Sequence, residues 1–357
     1  AWIFGMTIYV ALMAEAFMGY VLPWGQMSFW GAQVIISLFG AIPVIGEDIV
    51  QWVRGDYLIS GITLNRFMSL HVVALPIIFL ALVVLHLLAL HEVGSNNPDG
   101  VDIKKNKDAN GVPVDGIPFH PYYTVHDLVP ITVFLFVFCF ILFFMPEMGG
   151  YFLEYANFEI ANPLKTPEHI APVWYFTPFY SMLRAVPDKF AGFLVMAAAI
   201  AILFVLPWLD RSPVRSMRYK GSFSRGAILV FAASFVVLGV LGVKAPTPER
   251  TLLAQICTGL YFLFFLAMPL WTRIEKTKPE PERVTMDGGM GPWKTISAAF
   301  IVMFLIWAPL KAVGAESAFK CGAIPCDEFT ANLSDKASLQ NGAKLFVNSC
   351  MGCHSAK

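Results

Sequence analysis

HVVALPIIFLALVVLH occupies residues 71–86, an apolar segment with a histidine at each end. An imidazole inside lipid is costly unless something binds it. Fifteen residues separate His71 from His86. On an α-helix that is ~4.2 turns and ~22 Å, so both rings leave roughly the same face, too far apart to share one metal. Each can instead supply one ligand to its own cofactor, the two stacked across a membrane. Haem suits both the imidazole and the apolar setting. The plain alternative is a pair of histidines satisfied by hydrogen bonds inside a helical bundle.

The rest of the chain fits a membrane setting. Of its 357 residues 57% are hydrophobic and only 14% charged, against about 25% charged in a soluble domain. The 25 basic and 25 acidic residues balance, which gives no sign of nucleic-acid binding. Apolar runs near residues 3–22, 70–90, 128–145, 190–209, 227–243 and 252–271 are each long enough to span or nearly so, and a shorter run covers 296–310. The sequence thus predicts an all-α, multi-span transmembrane helical bundle. Lysines and arginines crowd the loops after runs two, four and six. Those loops are therefore inner, and the C-terminal tail falls on the outer face. The two long outer loops, 23–67 and 147–188, read as amphipathic interfacial helices. Cys139 and Cys257 fall in apolar runs, as small buried residues do. The chain opens on AWIFG and stops at CMGCHSAK, so both ends read as cuts through a longer chain.

The first run carries a second pattern. Gly5 and Gly19 lie fourteen residues apart, close to the histidine spacing. Glycine has no side chain to keep a flat macrocycle from the backbone. Helix packing through small residues would look the same. Arg66, five residues before His71, is placed to pair with a haem propionate, or simply to snorkel to the interface.

YVLPWGQMSFWGA, RFMSLH, HLLALHEVGSNNP, FHPYYTVHDL and PVWYF follow one another in the chain. In this order they resemble the cytochrome b family of the respiratory quinol:cytochrome c oxidoreductase, complex III, from residue 1 to about 285. The resemblance implies four helices carrying two b haems, each haem held by one histidine from the second helix and one from the fourth. Position 1 falls in the third of these helices. His71 then matches the ligand of the low-potential outer haem and His86 that of the high-potential inner haem, with their partner histidines upstream of residue 1. Mitochondrial members space this histidine pair one residue closer.

The family also implies two quinone pockets. The outer, quinol-oxidising one maps to Phe17, Met18, Tyr20, Gly31 and the Pro172-Val173-Trp174-Tyr175 motif. The family has a glutamate where Val173 stands, so a proton acceptor is missing. Glu168, four residues before Pro172, is the candidate substitute, against a solvated loop carboxylate. The inner, quinone-reducing pocket maps to His91 and Asp127, with Ser95 in support. A histidine and a carboxylate at an aqueous face can supply protons to a reduced quinone.

The tail has chemistry of its own. Cys350, Cys353 and His354 form C-x-x-C-H, the attachment motif for a covalent haem c, with His354 as the iron ligand. DKASLQNGAKLFVNSCMGCHS resembles the start of the c-type cytochrome of the same complex. Lys294, the run 296–310 and KAVGA read as an embedded signal peptide cleaved after Ala315, or as a retained helix. Cys321 and Cys326 have a spacing that permits a local disulfide in an oxidising compartment.

Four regions follow: residues 1–145, the haem-binding core; 146–285, the quinol-oxidation loop and three further spans; 286–315, the signal-like segment; and 316–357, the start of a c-type cytochrome domain. The resemblance implies electron transfer from ubiquinol through two b haems to quinone, coupled to proton translocation. It also implies a Rieske-type iron–sulfur subunit and a c-type cytochrome as partners, a homodimer, and a lipid setting in a bacterial inner membrane with the c haem on the periplasmic side. A transporter or anchor carrying a cytochrome domain is the rival from another class. The split chloroplast-type enzyme is the rival within it.

Overall fold

The computed structural model describes residues 1–147, 154–167 and 170–285. The chain divides into two units, Ala1–Met286 and Asp287–Lys357. The second lies outside the described residues, and so do run seven, the cleavage expected after Ala315 and the Cys321–Cys326 pair.

Among the described residues the secondary structure is helical. Five stretches are long and apolar enough to cross a membrane: Trp2–Val21, Gly61–Val93, Phe119–Phe144, Ser222–Val243 and Pro248–Ile274. The expected span at 190–209 is broken. Helix α8 (Lys189–Phe204) stops at Val205, and the short α9 (Leu206–Leu209) follows. Pro207 explains the break, since it has no N–H to donate and its ring crowds the preceding turn.

The histidine-bearing span is also irregular. Helix α4 (Gly61–Ser69) starts on a capping box: the Ser60 hydroxyl accepts from the Ile62 N–H, and the Thr63 hydroxyl accepts from the Ser60 N–H. Between α4 and α5 (Leu75–Val93) lies one π turn, Leu70–Ala74, in which the Leu75 N–H reaches back to the Leu70 carbonyl. Pro76 sits at the start of α5. It withdraws a donor at this point, and the register of hydrogen bonds shifts. A π turn absorbs a surplus residue. On a regular helix a fifteen-residue step overshoots whole turns by ~60° and a fourteen-residue step falls ~40° short. The underwound turn at His71 brings its spacing to His86 into phase with that of Gly5 and Gly19 on the regular helix α1 (Trp2–Val21). The expected uninterrupted helix is corrected here, and the shared face is sharper for it.

Two apolar cores hold the unit. One lies at the C-terminal end of α1, where Val21 and Phe67 close on Phe29, Ala32 and Ile36 of α2 (Gln26–Phe39), Val50 of α3 (Gly46–Arg54) and Ile59. The 23–67 loop therefore carries two helices, α2 and α3, packed on this core. The other core joins α7 (Thr177–Arg184), α8, α10 (Ser222–Val243) and α11 (Pro248–Ile274) around Phe179, Met182, Leu238, Tyr261 and Phe265. The buried Tyr261 hydroxyl donates to the Ala199 carbonyl at 2.8 Å, which satisfies the polar end of an otherwise apolar side chain. Cys257 belongs to this core. Cys139 is exposed instead, because α6 (Thr124–Phe144) packs on little but its own first turn among the described residues.

The three basic loops meet at one end of the bundle, as alternating spans require. Asp99, fully buried, accepts from Arg218 at 3.1 Å, from the Tyr219 hydroxyl at 2.8 Å, and from the Thr285 N–H and hydroxyl at 2.9 Å. Burial works against its charge, but these hydrogen bonds outweigh it and hold the carboxyl below its ordinary pKa. Arg283 adds a two-nitrogen contact to Asp115.

Candidate functional site

Helices α1 and α5 run antiparallel, with Gly5 beside His86 and Gly19 beside His71. A Cβ added at Gly19 would lie 2.5 Å from His71 Cε1, and one at Gly5 would lie 3.2 Å from His86 Cε1. Only glycine at position 19 leaves room for the ring.

Both rings are anchored through Nδ1. His71 Nδ1 is 2.9 Å from the Glu15 carbonyl, and His86 Nδ1 is 3.0 Å from the Ala1 carbonyl. A carbonyl only accepts, so each Nδ1 carries the hydrogen and each Nε2 keeps its lone pair. Neither Nε2 has a protein partner among the described residues. An imidazole fixed in this tautomer by its other nitrogen is the arrangement of a metal ligand. With two such rings on one face, and glycine opposite each, the residues fit a pair of flat macrocycles. Among the described residues no group of three or more His, Cys, Asp or Glu side chains gathers to hold a bare metal ion.

The spacing of the two histidines was legible in the sequence; Glu15 was not recognised. It is the single charged residue in α1, and its Oε1 lies 3.2 Å from His71 Nδ1. An ionisable residue in a span marks a functional site by default, so that signal was available.

The residues expected to line the outer pocket come from distant segments. Residues 154–165 dock on the turn after α1: the Gln26 N–H donates to the Glu159 carbonyl at 3.0 Å, the Ala161 N–H to the Trp24 carbonyl at 3.2 Å, and the Ser28 N–H to Asn157 Oδ1 at 2.8 Å. This docking brings Glu154 to Tyr20, whose hydroxyl donates to Glu154 Oε2 at 2.7 Å. Gly31 faces the Tyr20 ring, and Tyr175 lies within electrostatic range of Tyr20. Burial raises the pKa of the Tyr175 phenol, which keeps it a neutral hydrogen-bond donor. Trp174 stands edge-on to Tyr175, and its carbonyl accepts from the Thr177 hydroxyl at 2.6 Å. Phe17 and Met18 pack against the core at the C-terminal end of α1 instead, Phe17 edge-on to Phe67. Pro172 precedes this turn in the chain. Glu168 and His169 lie outside the described residues. Glu154 is the carboxylate that sequence reasoning missed, because its contact depends on a fold between residues 134 positions apart.

Arg66 donates to the Trp52 carbonyl at 2.7 Å and lies over Gly55. His91 closes the last turn of α5, where the Lys104 ammonium donates to its carbonyl at 2.9 Å and to that of Glu92 at 2.7 Å. Ser95 follows in the loop. Asp127 sits in the first turn of α6, next to His126 at 3.8 Å. No hydrogen bond or ion pair joins His91 to Asp127 among the described residues. Cys350, Cys353 and His354 lie outside those residues.

The geometry is thus a bundle of long apolar helices that sets two imidazoles, each held through Nδ1, against glycines of one neighbouring helix. Sequence comparison identifies the family. The family described as cytochrome b(N-terminal)/b6/petB matches residues 1–178, and cytochrome b(C-terminal)/b6/petD matches residues 160–262. Cytochrome b of Allochromatium vinosum is 59% identical over 292 residues, covering 80% of this chain and 70% of that protein. Cytochrome b/c1 of Bradyrhizobium diazoefficiens is 39% identical over 368 residues, 99% of this chain and 51% of that protein. A solved structure described as hyperthermophilic respiratory Complex III matches with a TM-score of 0.70 at 38% identity, over 77% of this chain and 70% of that one. The chain belongs to the cytochrome b family, the core subunit of quinol:cytochrome c oxidoreductase. Membership carries haem b binding with it.

Proposed function

We propose that His71 and His86 each supply one axial ligand to a separate b haem, the first near the outer face and the second near the inner. The observation that carries this is the shared tautomer: both Nδ1 atoms are anchored to backbone carbonyls of α1 or its N-cap, and neither Nε2 has a partner among the described residues. Haem bound there would supply one-electron transfer across the span. Gly5 and Gly19 give the two imidazoles their room against α1, and Arg66 is placed to meet a propionate once it releases the Trp52 carbonyl.

Ubiquinol binds in the outer pocket between Tyr20, Gly31 and the Pro172, Trp174, Tyr175 turn, with Phe17 and Met18 behind it. Tyr175 donates a hydrogen bond to the substrate. Glu154 takes the proton role first expected of Glu168, receiving it through the Tyr20 hydroxyl and passing it to solvent from its half-buried position. Quinone is reduced at the inner face by way of His91, Ser95 and Asp127. A Rieske-type iron–sulfur subunit takes the other electron. The membrane is the bacterial inner membrane, with the basic loops inside, and the complex is a homodimer.

Residues 286–357 are a signal-like segment, 286–315, and the start of a c-type cytochrome, 316–357, which binds haem c through Cys350, Cys353 and His354 on the periplasmic side. The match of almost the whole chain to a protein named cytochrome b/c1 supports this fusion. The experiment is the addition of ubiquinol to membranes carrying the assembled protein. It should bring up b-type absorbance on the time scale of turnover. Membranes that hold b haem but give no response to quinol would contradict the quinol assignment.

A further inference from the structure

We propose that Glu15 is a positioning residue for His71 that lowers the potential of the haem held there relative to the one held at His86. The inference rests on His71 and His86 being haem ligands. The two rings are anchored differently. His86 has one acceptor at Nδ1, the Ala1 carbonyl at 3.0 Å. At His71 the Glu15 backbone carbonyl accepts at 2.9 Å, and the side-chain Oε1 of the same residue also stands 3.2 Å from Nδ1. The second carboxyl oxygen, Oε2, is buried with no hydrogen-bond partner among the described residues. Glu15 is thus held in an apolar span with its side chain turned to one group, the imidazole of His71.

A carboxyl oxygen on the far nitrogen of a ligating imidazole fixes the ring and raises its basicity. The Nε2 lone pair then donates more strongly to iron, which favours the ferric state and lowers the potential. Reduction adds one electron to the iron and breaks no bond, and the Nδ1 proton stays on the ring. A difference in anchoring therefore sets a downhill direction, from the haem at His71 to the haem at His86. Glu15 lies four residues before Gly19, so the residue that tunes the ring and the residue that makes room for it sit on one helix face.

The test is an optical redox titration of the b haems in membranes, with dithionite and ferricyanide as reductant and oxidant. Wild type, Glu15→Gln and Glu15→Asp are compared. Glutamine should raise one midpoint by about a tenfold shift in the reduction equilibrium, ~59 mV for one electron, and leave the other midpoint in place. Aspartate, which keeps the carboxyl, should restore most of the wild-type value. The low-spin ferric resonance of the same haem should move in Glu15→Gln alone. Unchanged midpoints in Glu15→Gln with full haem content would overturn the role of Glu15. If glutamine loses that haem, aspartate decides: a haem retained near the wild-type potential supports the role, and a lost or equally displaced haem refutes it. A wild type with no b haem at all would instead remove the ligand assignment beneath it.

Discussion

His71→Leu leaves the protein with one b haem in place of two. Leucine fills a similar volume in the α1–α5 contact, so the helix pair stays packed. It supplies no lone pair, and the glycine gap at position 19 is left without a ring to hold. His86 is anchored independently, to the Ala1 carbonyl, so its haem stays. The expected result is a halved yield of acid-acetone-extractable haem per chain, with the surviving b band still reducible by dithionite. Quinol oxidation stops, because the electron route across the span is cut at its first station. Retention of both haems in His71→Leu would show that the ring has only a structural role.

Glu154→Gln lowers quinol oxidation by about 10²-fold or more, the usual range for loss of a general base. The amide oxygen can still accept from the Tyr20 hydroxyl, so the 2.7 Å contact and the docking of residues 154–165 survive. Binding of quinol is therefore kept, and the loss falls on kcat rather than KM. Both b haems remain. Steady-state quinol:cytochrome c reductase assays on membranes check this. A rate within twofold of wild type would remove Glu154 from the proton route and return it to a loop contact.

Much of this was legible in the residues. The long spans follow from hydropathy alone, and the basic loops predict the shared end where Asp99 gathers Arg218, Tyr219 and Thr285. The pairing of His71 with Gly19 and His86 with Gly5 follows from two similar spacings. What spacing could not show is how fifteen residues match fourteen. The answer lies in the π turn at Leu70–Ala74, and Pro76 was its visible cue. Pro207 gave a similar cue for the break after α8. Glu154 left no cue, since nothing local in YFLEYANFEI marks the fourth residue as a partner of Tyr20. That contact exists only because Gln26, Ser28 and Trp24 bind the 154–165 segment through backbone and amide groups. Such pairings carry no periodicity and depend on the tertiary fold.

The central claim is that one helix face holds two haems through His71 and His86. Its most direct test is a reduced-minus-oxidised optical spectrum of membranes bearing the assembled protein, combined with haem extraction. Two b haems per chain that leave with acid-acetone, each with its own midpoint, are the expected result. A spectrum with no extractable b haem would contradict it, and would leave the two imidazoles as hydrogen-bonding groups between helices α1 and α5.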